Sequence, residues 1–136
     1  MILLDANIFM YAGGASHAHK GPSLTLLQRV ARAEVDAGID AEVLQEILHR
    51  YRAINRWADG RQVYDLTRRI VAQVLPITVE VLDVTRGLMD TYPRLMARDA
   101  LHAAVCLHHG VNTFCSYDQD LDIVAGITRV EPQNVP

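Results

Sequence analysis

The chain opens on Met1-Ile2-Leu3-Leu4, an apolar run without a turn residue that stops at Asp5 and is followed two positions later by Asn7. An uninterrupted apolar run predicts a strand buried on both faces, the kind a parallel sheet carries at its centre. An ionised carboxylate avoids such surroundings unless it is paired or bound to a cation. Asp5 is therefore expected at the carboxyl end of the strand, the edge where open α/β sheets bind ligands. Any residue that joins Asp5 in a site must reach that edge.

Strand and helix patterns alternate along the rest of the chain. Ile8 to Tyr11 continues apolar up to Gly13-Gly14, and a polar loop with His17, His19 and Lys20 follows; its two histidines are expected to be solvated loop polarity rather than metal ligands. A first helix enters at Gly21-Pro22-Ser23 and runs to about residues 32–34. Val35, Ala37 and Ile39 form a weak strand pattern that ends at Asp40, a good N-cap for a helix carrying Val43, Leu44, Ile47, Leu48 and Tyr51. Glu46 lies at the edge of that apolar face, where it could enter a cleft or pair with Arg50 on the surface. Asp59-Gly60 predicts a turn, with a helix from Val63 to about Pro76 and a short edge strand near Val74–Ile77.

A helix is expected from Val79 to Tyr92, and another begins at Asp99 and ends at Gly110. Asp99 there needs no function, since a carboxylate in a helix's first turn is stabilised by the dipole, and His102 reads as a packing or orienting residue. Thr113–Ser116 predicts a strand running into a second one over 117–122 that ends on acids, with a last edge strand at 127–130 and a tail after it. Alternating strands and helices predict right-handed βαβ crossovers on a parallel sheet in a single domain over residues 1–136. In that topology Asp5, Glu46, Asp99 and the acids after Ser116 can converge.

The net charge of −3 gives no global pull on nucleic acid, so a polyanion needs a local basic face or bound cations. Between His49 and Arg69 six arginines stand against two aspartates, a local charge of +4, and this pair of helices is the candidate RNA- or phosphate-facing surface, with Arg50, Arg56 and Arg68 as contacts. Tyr51 and Trp57 could stack on bases but are expected in the core. Cys106 and Cys115 fit reduced core residues, and the short apolar start fits neither a signal peptide nor a membrane span, so a cytoplasmic protein is expected.

Four carboxylates in one cleft repel one another, at about 4 kcal/mol per pair for a 4 Å separation and an effective dielectric near 20. Protons or cations must offset this, and an oxygen-only donor set favours Mg²⁺ or Mn²⁺ over zinc. Such an ion can activate a water and neutralise charge on a phosphate under attack, which is the logic of a nuclease.

Four segments in order carry a family resemblance: Asp5-Ala-Asn7, Asp40-Ala-Glu-Val-Leu-Gln-Glu46, Ala97-Arg98-Asp99-Ala-Leu-His102 and Ser116-Tyr-Asp118-Gln-Asp120. Together they resemble the PIN domain, and within it the small toxins of the VapC type. The resemblance implies a three-layer α/β/α PIN-like fold with a central, mostly parallel sheet, and a metal-dependent endoribonuclease that cuts tRNA or rRNA, is held inactive by a cognate antitoxin and is often a homodimer. It puts the family's acids on Asp5, Glu46, Asp99 and Asp118, with Asp5, Asp99 and Asp118 on the metal and Asp120 as an outer or substitute acid. It puts small polar supports on Asn7 and Ser116. A haloacid-dehalogenase-type phosphatase would want an acid at position 7 and a later lysine, but Lys20 is the only lysine; the same gap argues against a receiver domain. A PIN-like module that only binds RNA or protein is the remaining alternative.

Overall fold

In the computed structural model, which describes residues 1–136, β1 (Ile2–Leu4) lies in the middle of a five-stranded sheet. β2 (Ala37–Asp40) and β4 (Thr113–Cys115) flank it, while β3 (Gln73–Leu75) and β5 (Thr128–Val130) form the edges, giving the order β3-β2-β1-β4-β5. All four pairings are parallel, with Leu3 opposite Gly38 on one side and Phe114 on the other. The sheet is thus wholly parallel, where a mostly parallel one was expected.

Six helices cover it on two faces. α1 (Ala6–Gly13), α2 (Lys20–Ala31), α3 (Ala41–Ala53) and α4 (Trp57–Ile70) pack over Leu4, Ile39 and Cys115. α5 (Val79–Thr91) and α6 (Ala97–His108) pack over Leu3 and Phe114 on the other side. Leu3 and Leu4 face opposite layers because successive strand side chains alternate, and both are fully buried. No helix is long and apolar enough to cross a membrane.

The chain moves from β1 to β2 and β3 on one side and returns to β4 and β5 on the other, so strand order reverses beside β1. That reversal opens a crevice between the carboxyl ends of β1 and β4, the usual ligand position in such sheets.

Several local expectations are corrected. Residues 6–13 form a helix, because Asp5 caps it by accepting from the Ala6 N–H at 2.6 Å. Asp59-Gly60 is no turn: both lie inside α4, and the chain reverses at Asn55, which takes φ = 59°. Residues 117–122 make no strand, because Ser116 Oγ accepts from the Asp118 N–H at 2.9 Å and Asp118 Oδ1 from the Asp120 N–H at 3.2 Å, bending the chain into a 3₁₀ turn at Asp120–Ile123. Trp57, expected in the core, is instead at the surface under the Arg52 guanidinium, 4.7 Å from the ring centroid, whereas Tyr51 is buried.

Gly60 is required by packing, since a Cβ there would overlap Cβ of Tyr51 where α4 crosses α3. Replacing a helical glycine with alanine ordinarily stabilises by about 1 kcal/mol. Here overpacking should dominate: Gly60→Ala is expected to destabilise by about 1–3 kcal/mol, read as a lowered melting temperature.

Candidate active site

The site is built on chain ends rather than loops. Asp5 leaves β1 and caps α1 with Oδ1, which leaves Oδ2 for the crevice. Ser116, the residue after β4, donates its hydroxyl to that Oδ2 at 2.6 Å. Asn7 Nδ2 donates to Ser116 Oγ at 3.0 Å and to Asp5 Oδ2 at 3.2 Å. The Asn7 Oδ1 is buried and has no hydrogen-bond partner in the protein. An amide oxygen left bare beside a carboxylate suits a cation or the water on one, since buried acceptors are otherwise paired.

Glu46 does not pair with Arg50. Its Oε1 lies 2.7 Å from His102 Nε2 and 3.5 Å from Arg98 Nε. The other ring nitrogen of His102, Nδ1, lies 2.6 Å from Oδ2 of Asp40, which is 1% exposed and caps α3 through a 3.0 Å bond from the Val43 N–H. Ionised carboxylates only accept, so a ring placed between two of them carries both protons. Burial by itself lowers the His102 pKa, but the hydrogen bonds and charges of Asp40 and Glu46, with Asp5 beyond them, hold it well above the ordinary histidine value. His102 therefore orients Glu46. Although its nitrogens, an Asp5 oxygen and a Glu46 oxygen all lie within 4.8 Å of one another, both nitrogens are taken and neither is free to ligate.

Asp99 stands in the first turn of α6. Burial raises its pKa to about 6, helped by Asp120 and then Asp118, against a smaller opposing pull from His102. Asp5 is raised too, by burial above all, with His102 and the Ser116 hydroxyl lowering it and Glu46 raising it. Asp118 is raised chiefly by burial. His102 thus acts on both Asp5 and Asp99. Asp5 and Glu46 stand close to this ring, and Asp118 and Asp120 stand close to Asp99, with Asp120 acting on Asp99 more strongly than Asp118 does.

Arg50 and Arg56 are exposed and line one cleft with Gly13, Gly14 and Ala15, Arg56 being paired with Asp59 at 2.8 Å. Arg68 is exposed on α4 outside that cleft. Both cysteines are buried, which pushes their thiols up to about 12 and makes them inert. Residues whose part the sequence did not reveal are Asp40, read only as a cap, and Arg98.

The PIN domain family model matches residues 2–127. The chain belongs to the PIN-domain family. It is 42% identical over 130 residues to ribonuclease VapC13 of Mycobacterium tuberculosis, covering 96% of this chain and 99% of that one. Ribonuclease VapC23 of the same species is 31% identical over 89% of this chain and 95% of its own length. These similarities make it a VapC-type PIN nuclease. Among solved structures, M. tuberculosis VapC20, described as a sarcin-ricin loop cleaving toxin, has the same fold with a TM-score of 0.77 at 17% identity, covering 96% of this chain and 98% of that one. FitAcB of Neisseria gonorrhoeae matches with a TM-score of 0.74 at 17% identity over 99% of this chain and all of that one.

Leucine in place of His102 would leave Asp40 as an unpaired buried charge, so His102→Leu should cost about 3–5 kcal/mol in urea unfolding. Asp99 and His102 both bind protons more tightly folded than unfolded, so in chelator stability should fall as pH rises. The Asp99 share is present below its unfolded value of 3.8 and lost by about 6. The His102 share is present below 6.5 and lost as pH climbs through its raised folded value. A divalent cation should raise the melting temperature more at pH 8 than at pH 5.

Proposed function

We propose that this protein is the toxin of a type II toxin–antitoxin pair and that it hydrolyses phosphodiester bonds in tRNA or rRNA with Mg²⁺, or Mn²⁺ in its place. The observation that carries this reading is the gathering of acids at the β1–β4 reversal without a free cation among them. The one buried cation, His102, is already shared between Asp40 and Glu46. A phosphate could not approach such a pocket unaided.

The donor set suits a hard divalent ion: carboxylates from three elements and the bare Asn7 Oδ1, with no cysteine and no free histidine nitrogen. Asp5, Asp99 and Asp118 would hold it, Asp120 standing close to Asp99 as an outer acid. The ion supplies Lewis-acid stabilisation of the charge that builds on the phosphate. Ser116 and Ala6 fix the Asp5 carboxylate before substrate arrives, so no reorganisation is needed at the reacting centre. Glu46, held by His102 and Arg98, orients the attacking water. Attack by water rather than by the 2′-hydroxyl leaves a 5′-phosphate and a 3′-hydroxyl. Arg50, Arg56 and Arg68 contact the RNA backbone further from the cut.

The partner in this reading is a cognate antitoxin, and the assembled toxin is a homodimer. The solved relatives include VapBC2 of Rickettsia felis bound to a DNA fragment from its promoter and a toxin–antitoxin complex from Klebsiella pneumoniae. An apolar groove between α1, α2 and α4, lined by Phe9, Leu24, Leu27, Val63, Leu66 and Ile70, is a surface such a partner would cover. Leu66→Glu should weaken antitoxin capture, measured by titration calorimetry, and leave cleavage by the free toxin unchanged.

End-mapped cleavage of total RNA by the antitoxin-free chain should give discrete cuts bearing 5′-phosphates with Mg²⁺ and none with chelator. Asp99→Asn, folded as judged by circular dichroism, should lose at least about a hundredfold in rate, the smaller end of what several kcal/mol of charge stabilisation implies. A folded, Mg²⁺-loaded protein that binds RNA and never cuts it would favour the binding module instead.

A further inference from the structure

Beside the acids lies a second array that this function does not use. Tyr117 sits in sequence between Ser116 and Asp118, and Tyr11 is one helical turn beyond Asn7 on α1. The His19 ring stacks on Tyr117 with centroids 3.8 Å apart and planes 10° from parallel. Tyr11 meets both edge-on, at 4.9 Å from His19 and 5.3 Å from Tyr117. His17 closes the group, 4.7 Å from Tyr11 and 4.8 Å from His19. The loop between α1 and α2, expected to be solvated polarity, is therefore folded back as an aromatic surface.

The array is held in place from beneath. The Tyr117 hydroxyl donates to the His19 carbonyl at 3.0 Å and lies 2.9 Å from Ser23 Oγ. Lys20, the only lysine, donates to the Gly14 carbonyl and ties the loop's two ends together. Tyr11, His19 and Tyr117 are half-buried, and His17 is exposed as the outermost ring. His17 Nδ1 accepts from the His19 N–H at 3.0 Å, so the neutral ring carries its proton on Nε2, which has no partner in the protein.

We infer that these four rings form a stacking subsite for an unpaired nucleobase next to the scissile phosphate of an RNA substrate. The inference rests on the ribonuclease reading above and adds a substrate feature to it: the base beside the cut is unstacked, as in a loop or bulge. Single-stranded RNA is recognised by stacking splayed bases on tyrosine and histidine rings, and such surfaces are effective when preordered. A purine is favoured, since it offers the larger face for stacking. Adjacency decides for RNA over a peptide, because Tyr117 is covalently flanked by Ser116, which fixes Asp5, and by Asp118.

The test uses the full-length protein in chelator and single-stranded RNA pentamers A₅ and U₅, so that binding is read without cleavage. Histidine ring protons are followed by NMR and affinity by fluorescence anisotropy. Saturable upfield shifts at His17 and His19, larger with A₅ than with U₅, are expected. His17→Ala should weaken A₅ binding by about five- to a hundredfold, while His17→Phe, which keeps the ring, should retain most of the affinity. Unchanged thermal melts will show both variants folded. Wild-type affinity in His17→Ala, or RNA binding without shifts at either histidine, would overturn the subsite. Adding Mg²⁺ to the same samples reports separately on the nuclease: cleavage with no dependence on His17 sinks only the stacking inference, and ring shifts without any cleavage sink only the hydrolytic one.

Discussion

The site depends first on β1 being paired on both edges and covered on both faces. A strand so enclosed cannot contain a charge, and Asp5 is the first position at which the chain can carry one. The neighbouring strand repeats the device, since β2 ends in Asp40, which caps α3 as Asp5 caps α1. In each case one carboxylate oxygen takes helix amides and the other is left to a partner. Those partners separate the two roles. Asp5 meets a neutral hydroxyl and keeps its charge available to a ligand; Asp40 meets a histidine and is sealed.

That separation sorts the acids of the crevice. His102 bridges Asp40 and Glu46, so one positive ring answers two carboxylates, and Arg98 adds a second positive group beside Glu46 and Glu42 at 3.5 Å from each. Asp5, Asp99, Asp118 and Asp120 have no cation in contact. Burial raises the pKa values of Asp5 and Asp99, and His102, which touches neither by a hydrogen bond, offsets only part of it. A bound divalent ion would invert that local balance. Glu46 is different in kind: it is held at its position by protein charges, as a group that orients something should be.

What could be read from the sequence follows from what is local. The end of β1 was legible because an apolar run breaks sharply at Asp5, and Asp40 and Asp99 were legible as helix-start residues. α1 was not, because eight mostly apolar residues give no polar stripe to reveal a helical period. Asp59-Gly60 was misread because the glycine answers to the Tyr51 side chain on another helix and not to a turn. The acids after Ser116 mimic a strand's end, yet side-chain hydrogen bonds to the next amides curl them. The place of His102 was hidden because its partners lie 62 and 56 residues away, so no spacing rule connects them. His17 and His19 read as loop polarity for the same reason, as Tyr117 is brought to them only by β4 pairing beside β1.

The segment after β4 joins chemistry to recognition. Ser116 turns inward to Asp5, Tyr117 to the ring array, and Asp118 to the acids near Asp99, three successive side chains with three separate destinations. A segment with those duties must be fixed. Arg129 of β5 does this by donating to the Ser116 carbonyl at 2.9 Å while its guanidinium pairs with Asp122 at 2.7 Å. β5 is thus more than an edge strand: it clamps the bend against the 3₁₀ turn that follows. Moving this segment would displace Asp5's hydroxyl partner, the base-stacking tyrosine and an acid together. A single rigid bend therefore keeps the position of the base and the position of the cut in register.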